Sequence, residues 1–168
     1  MRELYTFLQN LEISYEEVEH LPVYTVEEAQ QIKAQINGTG CKNLFLTDRK
    51  KRRYLLVILE ENKQADLKKI AVLPTVIQQM GEGQAEARIR LSFAEKEALW
   101  EVLHLSPGSV SPFGLLYDTE NKVMVLLDRE LYGKRLLFHP NVNTKTIAVS
   151  CEDLIRFIEK TEHIYDFL

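Results

Sequence analysis

Apolar residues recur at helical spacing in Leu4, Phe7, Leu8 and Leu11, so the pattern predicts an opening amphipathic helix. Ile13, Tyr15 and Val18 follow as an extended stretch. His20-Leu21-Pro22-Val23-Tyr24 reads as a connection, because proline disfavours helix in the residue before it. Thr25-Val26-Glu27-Glu28 is a capping-box pattern: the hydroxyl takes an orphan amide and Glu28 reaches back. Val26, Ala29, Ile32, Lys33 and Ile36 give the mostly apolar stripe of that helix, and Asn37-Gly38-Thr39-Gly40 stops it.

The pattern then changes. Asn43 to Thr47 and Tyr54 to Leu59 read as strands on either side of a basic turn. Leu55-Leu56-Val57-Ile58-Leu59 is continuous rather than alternating, which predicts burial on both faces. Asp66 to Val72 reads as a helix. Pro74 to Ala87, broken by Gly81-Glu82-Gly83, reads as a short helix plus an exposed loop. Ser92, with Glu95 three residues on, predicts a cap for a helix over Ala94 to Leu103. Phe113 to Tyr117 and Val123 to Leu127 read as strands joined by a polar hairpin turn, Asp118 to Lys122. Leu136 to Phe138 and Thr146 to Val149 are shorter strands, and Glu152 to Lys160 closes the chain as a helix. Strict βαβ alternation is absent. The expectation is therefore an α+β fold: a single compact domain over residues 1–168, with a mixed β-sheet surrounded by helices.

Composition narrows the function. The 168 residues are 45% hydrophobic and 27% charged, ordinary for a globular protein. The net charge of −4, from 21 basic against 25 acidic residues, argues against non-specific duplex binding, so no DNA partner is expected. The one strong basic run is Arg49-Lys50-Lys51-Arg52-Arg53. It reads first as a solvated hairpin turn and second as an RNA-phosphate contact. The longest apolar run, Leu55 to Leu59, is too short to span a bilayer, and no secretory signal is evident. With only Cys41 and Cys151, in no Cys-x-x-Cys pair, a cytoplasmic protein with reduced thiols and no membrane partner is expected.

Candidate chemistry sits in three islands at the edges of apolar runs. In the first, Lys42 offers a compact positive charge at a strand entrance, and Asn43 an amide that both donates and accepts. In the second, Pro107-Gly108-Ser109-Val110-Ser111-Pro112 is a glycine loop. Its successive amides could form an anion nest or an oxyanion site, or simply a helix-to-strand turn. In the third, His139 between Phe138 and Pro140 is the best acid/base or hydrogen-bonding candidate, although a strand-end histidine is often structural. His20, His104 and His163 lack comparable local surroundings. No metal-ligand spacing or nucleotide-binding glycine motif is present, so no metal and no cofactor are expected. Cys41 beside Lys42 could be an activated thiolate, but no dedicated base is visible for it.

Six segments in this order resemble one family: Lys42-Asn43-Leu44-Phe45-Leu46, Asp66-Leu67-Lys68-Lys69, Arg90-Leu91-Ser92-Phe93, Pro107 to Gly114, Val125-Leu126-Leu127-Asp128 and Phe138-His139-Pro140. It is the YbaK/ProX family of aminoacyl-tRNA editing domains, in its free-standing Ala-tRNA(Pro) deacylase form. The resemblance implies a mixed α/β fold with one pocket, and hydrolysis of the ester that joins a wrong amino acid to tRNA. It places the family's lysine on Lys42, its asparagine on Asn43, its glycine loop on Gly108 to Pro112 and its pocket histidine on His139. It implies mischarged tRNA, in particular tRNA(Pro), as partner, and transient association with prolyl-tRNA synthetase. Val72 to Ile89 is longer than the family pattern. Two competing readings are a deacylase for another small residue, cysteine or serine, and a non-catalytic tRNA- or synthetase-binding module.

Overall fold

The computed structural model describes residues 2–84 and 86–168, and of Val26 the backbone alone. The apolar run becomes β3 (Tyr54–Glu60), in the interior of the sheet. Its side chains alternate between two cores, Leu56 and Ile58 in one, Leu55, Val57 and Leu59 in the other. The first core takes Leu4 and Leu8 of α1 (Arg2–Asn10), Leu99, Val102 and Leu103 of α5 (Lys96–Leu103), and Leu154, Phe157 and Ile158 of α6 (Cys151–Lys160). The second takes Ile70 of α3 (Leu67–Ala71) and Val76 and Met80 of α4 (Pro74–Met80). The sheet is therefore covered on both faces, and each fully buried Leu or Ile contributes about 1.5–3 kcal/mol.

The remaining strands are β1 (Glu16–Glu19), β2 (Thr39–Thr47), β4 (Ser92–Phe93), β5 (Val123–Leu127), β6 (Arg135–Phe138), β7 (Lys145–Ser150) and β8 (Tyr165–Phe167). Their order is β1-β7-β6-β2-β3-β5-β8, with β4 attached to β2. β2 pairs antiparallel with β3 but parallel with β6, and β3 pairs parallel with β5, so the sheet is mixed. A third, small cluster seats Ile32 and Ile36, from α2 (Val26–Lys33) and the turn after it, against Leu137 and Ala148. The capping box of α2 is present: Thr25 Oγ1 accepts from the Glu28 amide at 3.2 Å, and the Glu28 carboxylate accepts from the Thr25 amide at 3.2 Å. No described helix is long and apolar enough to cross a membrane.

Four local expectations are corrected. Phe113 to Tyr117 is not a strand but part of a 3₁₀ helix, Pro112–Tyr117. Ser111 caps that helix, its hydroxyl accepting from the Phe113 amide, and Pro112 takes the first helical position, where no amide is needed. Asp118 to Lys122 consequently joins a helix to β5 rather than two paired strands. Ser92 is not a helix cap: it belongs to β4, and α5 begins only after Glu95, which makes no side-chain capping bond. β2 starts at Thr39, so Lys42 is inside the strand rather than at its entrance. The expected loop within 74–87 includes Ala85, and the expected helix stripe includes the side chain of Val26; both lie outside the described residues.

Candidate active site

The site forms where two parallel strands part. β2 and β6 are in register at Thr39↔Leu136 and Gly40↔Leu137; β6 then ends at Phe138, and Pro140 has no amide with which to continue a ladder. On the edge away from β3, β2 then has no strand partner among the described residues until it meets β4 at Leu46 and Thr47. Phe45 gives its carbonyl to the Ala94 amide at 2.9 Å on the edge away from β3. Asn43, two residues earlier, presents its backbone to the same edge, in the gap. The glycine loop fills that gap from the side: Asn43 Nδ2 donates to the Val110 carbonyl at 3.1 Å. Because a carbonyl only accepts, the amide orientation is settled, and Oδ1 points the other way. That oxygen is buried and has no hydrogen-bond partner among the described residues.

Asn43, Cys41, His139, Thr146, Lys33 and Glu61 line one open cavity of about 120 Å³, together with Ile32 of α2 and Leu137. His139 Nδ1 lies 2.8 Å from the Lys145 carbonyl, so Nδ1 carries the proton and Nε2 is a bare acceptor. Burial pushes His139 below the ordinary histidine value. The Lys145 carbonyl works the other way, and the neighbouring His20 ring adds to the downward shift. The His20 ring lies 5.9 Å from His139, with Nε2 2.8 Å from Thr146 Oγ1 and Nδ1 2.8 Å from the Leu21 carbonyl. His20 was missed at the sequence level: its partner Thr146 is 126 positions away, and nothing local signals it. His163 and His104 also have defined surroundings. His163 is buried against Asp118, and His104 stacks on Tyr117 with ring centroids 4.6 Å apart.

Lys42 leaves β2 on the face of Leu44 and Leu46, opposite Asn43, and does not line the cavity. It is half-buried, with no hydrogen bond or ion pair among the described residues. In the glycine loop, Gly108 has φ +89°, a left-handed conformation that a side chain would strain. The Ser109 amide closes a turn on the Ser106 carbonyl at 3.0 Å, whereas the amides of Gly108, Val110 and Ser111 have no acceptor among the described residues. Ser111 is fully buried and committed to its cap; Ser109 is buried. Pro112 is buried as the first residue of the 3₁₀ helix.

Three cations of the basic run are paired with acids. Lys50 and Arg52 pair with Glu82, Lys51 with Glu95, and Arg53 donates to the Asn121 carbonyl. Arg49 has no partner among the described residues. With Lys50, Arg88 and Arg90 it lines a separate cleft at the far end of β2.

Cys41 is not an activated thiolate. Burial pushes its thiol up to about 12, and Sγ–H donates to the Thr39 carbonyl at 3.5 Å. At pH 7 iodoacetamide is expected to leave Cys41 of the folded protein largely unlabelled over a time in which the urea-unfolded chain reacts fully. Equal labelling of the two states, read by mass spectrometry, would contradict this.

Residues 20–157 match the model of the aminoacyl-tRNA editing domain. The chain belongs to that family. It is 37% identical over 153 residues to the prolyl-tRNA editing protein ProX of Acetoanaerobium sticklandii, covering 90% of this chain and 86% of that one. It is 34% identical over 165 residues to a prolyl-tRNA synthetase associated domain-containing protein 1 of Danio rerio, covering 96% and 83%. A solved structure of a candidate trans-editing enzyme for prolyl-tRNA synthetase shares the fold, with TM-score 0.67, 19% identity and coverage of 99% and 94%.

Proposed function

We propose that this protein is a cytoplasmic trans-editing deacylase that hydrolyses the ester between a small wrong amino acid, alanine first, and the 3′ end of tRNA(Pro). The observation that carries the reading is the cavity at the β2–β6 divergence. It brings Asn43 and His139 together from distant segments and joins them, through Val110, to a loop with free amides.

An aminoacyl ester is already reactive, so the catalyst has to position it, admit water and stabilise developing charge. Water attacks the carbonyl carbon and passes a proton toward His139 Nε2. The oxyanion that forms is met by the loop amides of Gly108 and Val110. The bond from that carbon to the ribose 3′-oxygen then breaks, and the oxygen leaves with the proton that His139 returns. Neither Ser109 nor Ser111 acts as a nucleophile: both are buried, and the hydroxyl of Ser111 already caps a helix. Lys42, an unpaired cation next to Asn43 in sequence, suits a phosphate of the tRNA end. Strand rise puts the Arg49–Arg88–Arg90 cleft about 20 Å from Asn43 along β2, where it suits phosphates further up the acceptor stem.

A synthetic site shaped for proline cannot strongly exclude alanine, because each methylene is worth only about 1–3 kcal/mol; a second, smaller pocket corrects this. The test is a single-turnover comparison of Ala-, Ser-, Cys- and Pro-charged tRNA(Pro). Alanine is expected to be released at least about tenfold faster than proline. Equal release of proline would defeat the small-pocket reading, and faster release of serine or cysteine would reassign the substrate.

A further inference from the structure

One large apolar side chain stands in the open on the way from the cavity to the cationic cleft. Successive residues of β2 alternate between its faces, so Gly40, Lys42, Leu44 and Leu46 share one. Gly40 lines the cavity, and Leu46 sits in the second core. Phe93 of β4 lies directly opposite Leu46 in the antiparallel ladder and therefore projects from that same face. Leu91, two residues earlier in the chain, is buried in the second core, whereas Phe93 is 63% exposed and belongs to no core cluster. Its backbone is nonetheless pinned. β4 pairs with Leu46 and Thr47, and the Ala94 amide donates to the Phe45 carbonyl at 2.9 Å. The ring rises from a fixed base.

Charge brackets this ring. Lys42 stands on the side of the cavity, and Arg49, Arg88 and Arg90 stand toward the far end of β2. None of the four has an ion pair among the described residues. Asp48, the acid between them, is buried, and its carboxylate accepts from the amides of Lys50 and Lys51. An open aromatic face between unpaired cations fits a single nucleic-acid strand: the cations take phosphates and the ring takes a base. Strand rise puts Leu46, and Phe93 with it, about 10 Å along β2 from Asn43. Stacked nucleotides rise about 3.4 Å each, so about three of them span this distance, and fewer when the strand is drawn out.

We infer that Phe93 is a nucleobase platform, which stacks a cytosine of the unpaired cytidine-cytidine-adenosine end of tRNA while the adenosine presents its ester at the cavity. The inference rests on the deacylase reading for what enters the cavity, and adds how the strand leading there is held. Stacking tolerates any base, because every base has a π face. Phe93 therefore supplies affinity and register, and favours an ester carried on an RNA strand over a free aminoacyl ester. It does not distinguish one tRNA from another.

The test uses an alanylated minihelix with the acceptor stem of tRNA(Pro), intact or abasic at one of the two cytidines. In single turnover at subsaturating protein, Phe93→Leu is expected to slow the intact substrate about tenfold, and Phe93→Trp to restore it. Leucine keeps an apolar side chain and removes the π face. Loss of the stacked base is expected to slow wild type by a similar factor, and Phe93→Leu to add less than about twofold on that abasic substrate. Fluorescence reads binding without turnover. Phe93→Trp is placed in a Trp100→Phe background, because Trp100 is the only tryptophan of the chain and is exposed. Its emission is expected to be quenched by the uncharged minihelix and much less by the abasic one. Three results each overturn the inference and leave the deacylase reading intact: wild type cleaving intact and both abasic substrates equally fast, Phe93→Leu slowing all of them alike, or binding without quenching. Quenching by the minihelix with no ester cleaved defeats the deacylase reading and leaves the platform.

Discussion

Asn43→Ala is expected to lower the single-turnover rate on alanyl-tRNA(Pro) by about 100-fold or more while leaving the protein folded. Two functions of the amide are lost together. Nδ2 no longer holds the glycine loop through the Val110 carbonyl, and Oδ1 no longer faces the cavity. Stability should hardly move. The lost hydrogen bond is worth about 1 kcal/mol, but a buried acceptor that was costing a comparable amount is removed with it. Asn43→Asp should do no better than alanine, because a carboxylate has no N–H for Val110 and would set oxygen against oxygen. Rate and thermal melting are measured on the same preparations. Wild-type turnover in a folded Asn43→Ala protein would remove this residue from the mechanism, and a collapse in melting temperature would make it structural instead.

Much of the framework was legible because it rests on local patterns. Leu55 to Leu59 reads as a doubly buried strand without any knowledge of its neighbours, and Thr25 with Glu28 reads as a helix start. The errors share a cause as well. Phe113-Gly114-Leu115-Leu116-Tyr117 is too short for its period to separate strand from helix. The deciding signals were Ser111 as cap and Pro112 at the first helical position. Ser92 and Glu95 have capping-box spacing, yet the apolar positions that bury α5 are Leu99, Val102 and Leu103, and these set a later start. β8 spans only Tyr165–Phe167 and is held by pairing with β5, which no local pattern announces.

The site divides in the same way. Asn43 and His139 stood out as polar groups beside apolar runs, and the parallel pairing of β2 with β6 accounts for their meeting. Which nitrogen of His139 carries the proton, and the presence of His20 and Thr146 beside it, depend on contacts made between distant parts of the chain. The basic run was legible as a hairpin turn, but the pairing of three of its cations with Glu82 and Glu95 was not, since both acids come from elsewhere in the chain.

The largest expected effect on stability lies outside the site. Asp118 and His163 are both buried, and His163 Nε2 lies 2.9 Å from Asp118 Oδ2. Nε2 donates to the carboxylate, and Nδ1 shares a hydrogen bond of 2.8 Å with Thr161 Oγ1. Burial by itself raises the pKa of Asp118. The His163 hydrogen bond and the amides of Lys122 and Val123 outweigh it and hold the carboxyl below its ordinary value. Asp118→Ala leaves the buried His163 ring and two amides without their acceptor, and is expected to cost about 3–5 kcal/mol. For a chain of this length that corresponds to a fall in Tm of roughly 6–20 °C. The pH dependence has a definite sign. A depressed carboxyl pKa adds stability that is complete above the unfolded-state value of about 3.9, and that stability is lost as pH falls through the lower, folded-state value. Urea unfolding at pH 7 and at several acidic pH values should show wild type losing its advantage over Asp118→Ala on acidification. Because β8 is far across the sheet from β6, alanyl-ester turnover well below Tm should be unchanged in the variant. A difference under about 1 kcal/mol at pH 7 would show that this pair stabilises no more than an exposed one.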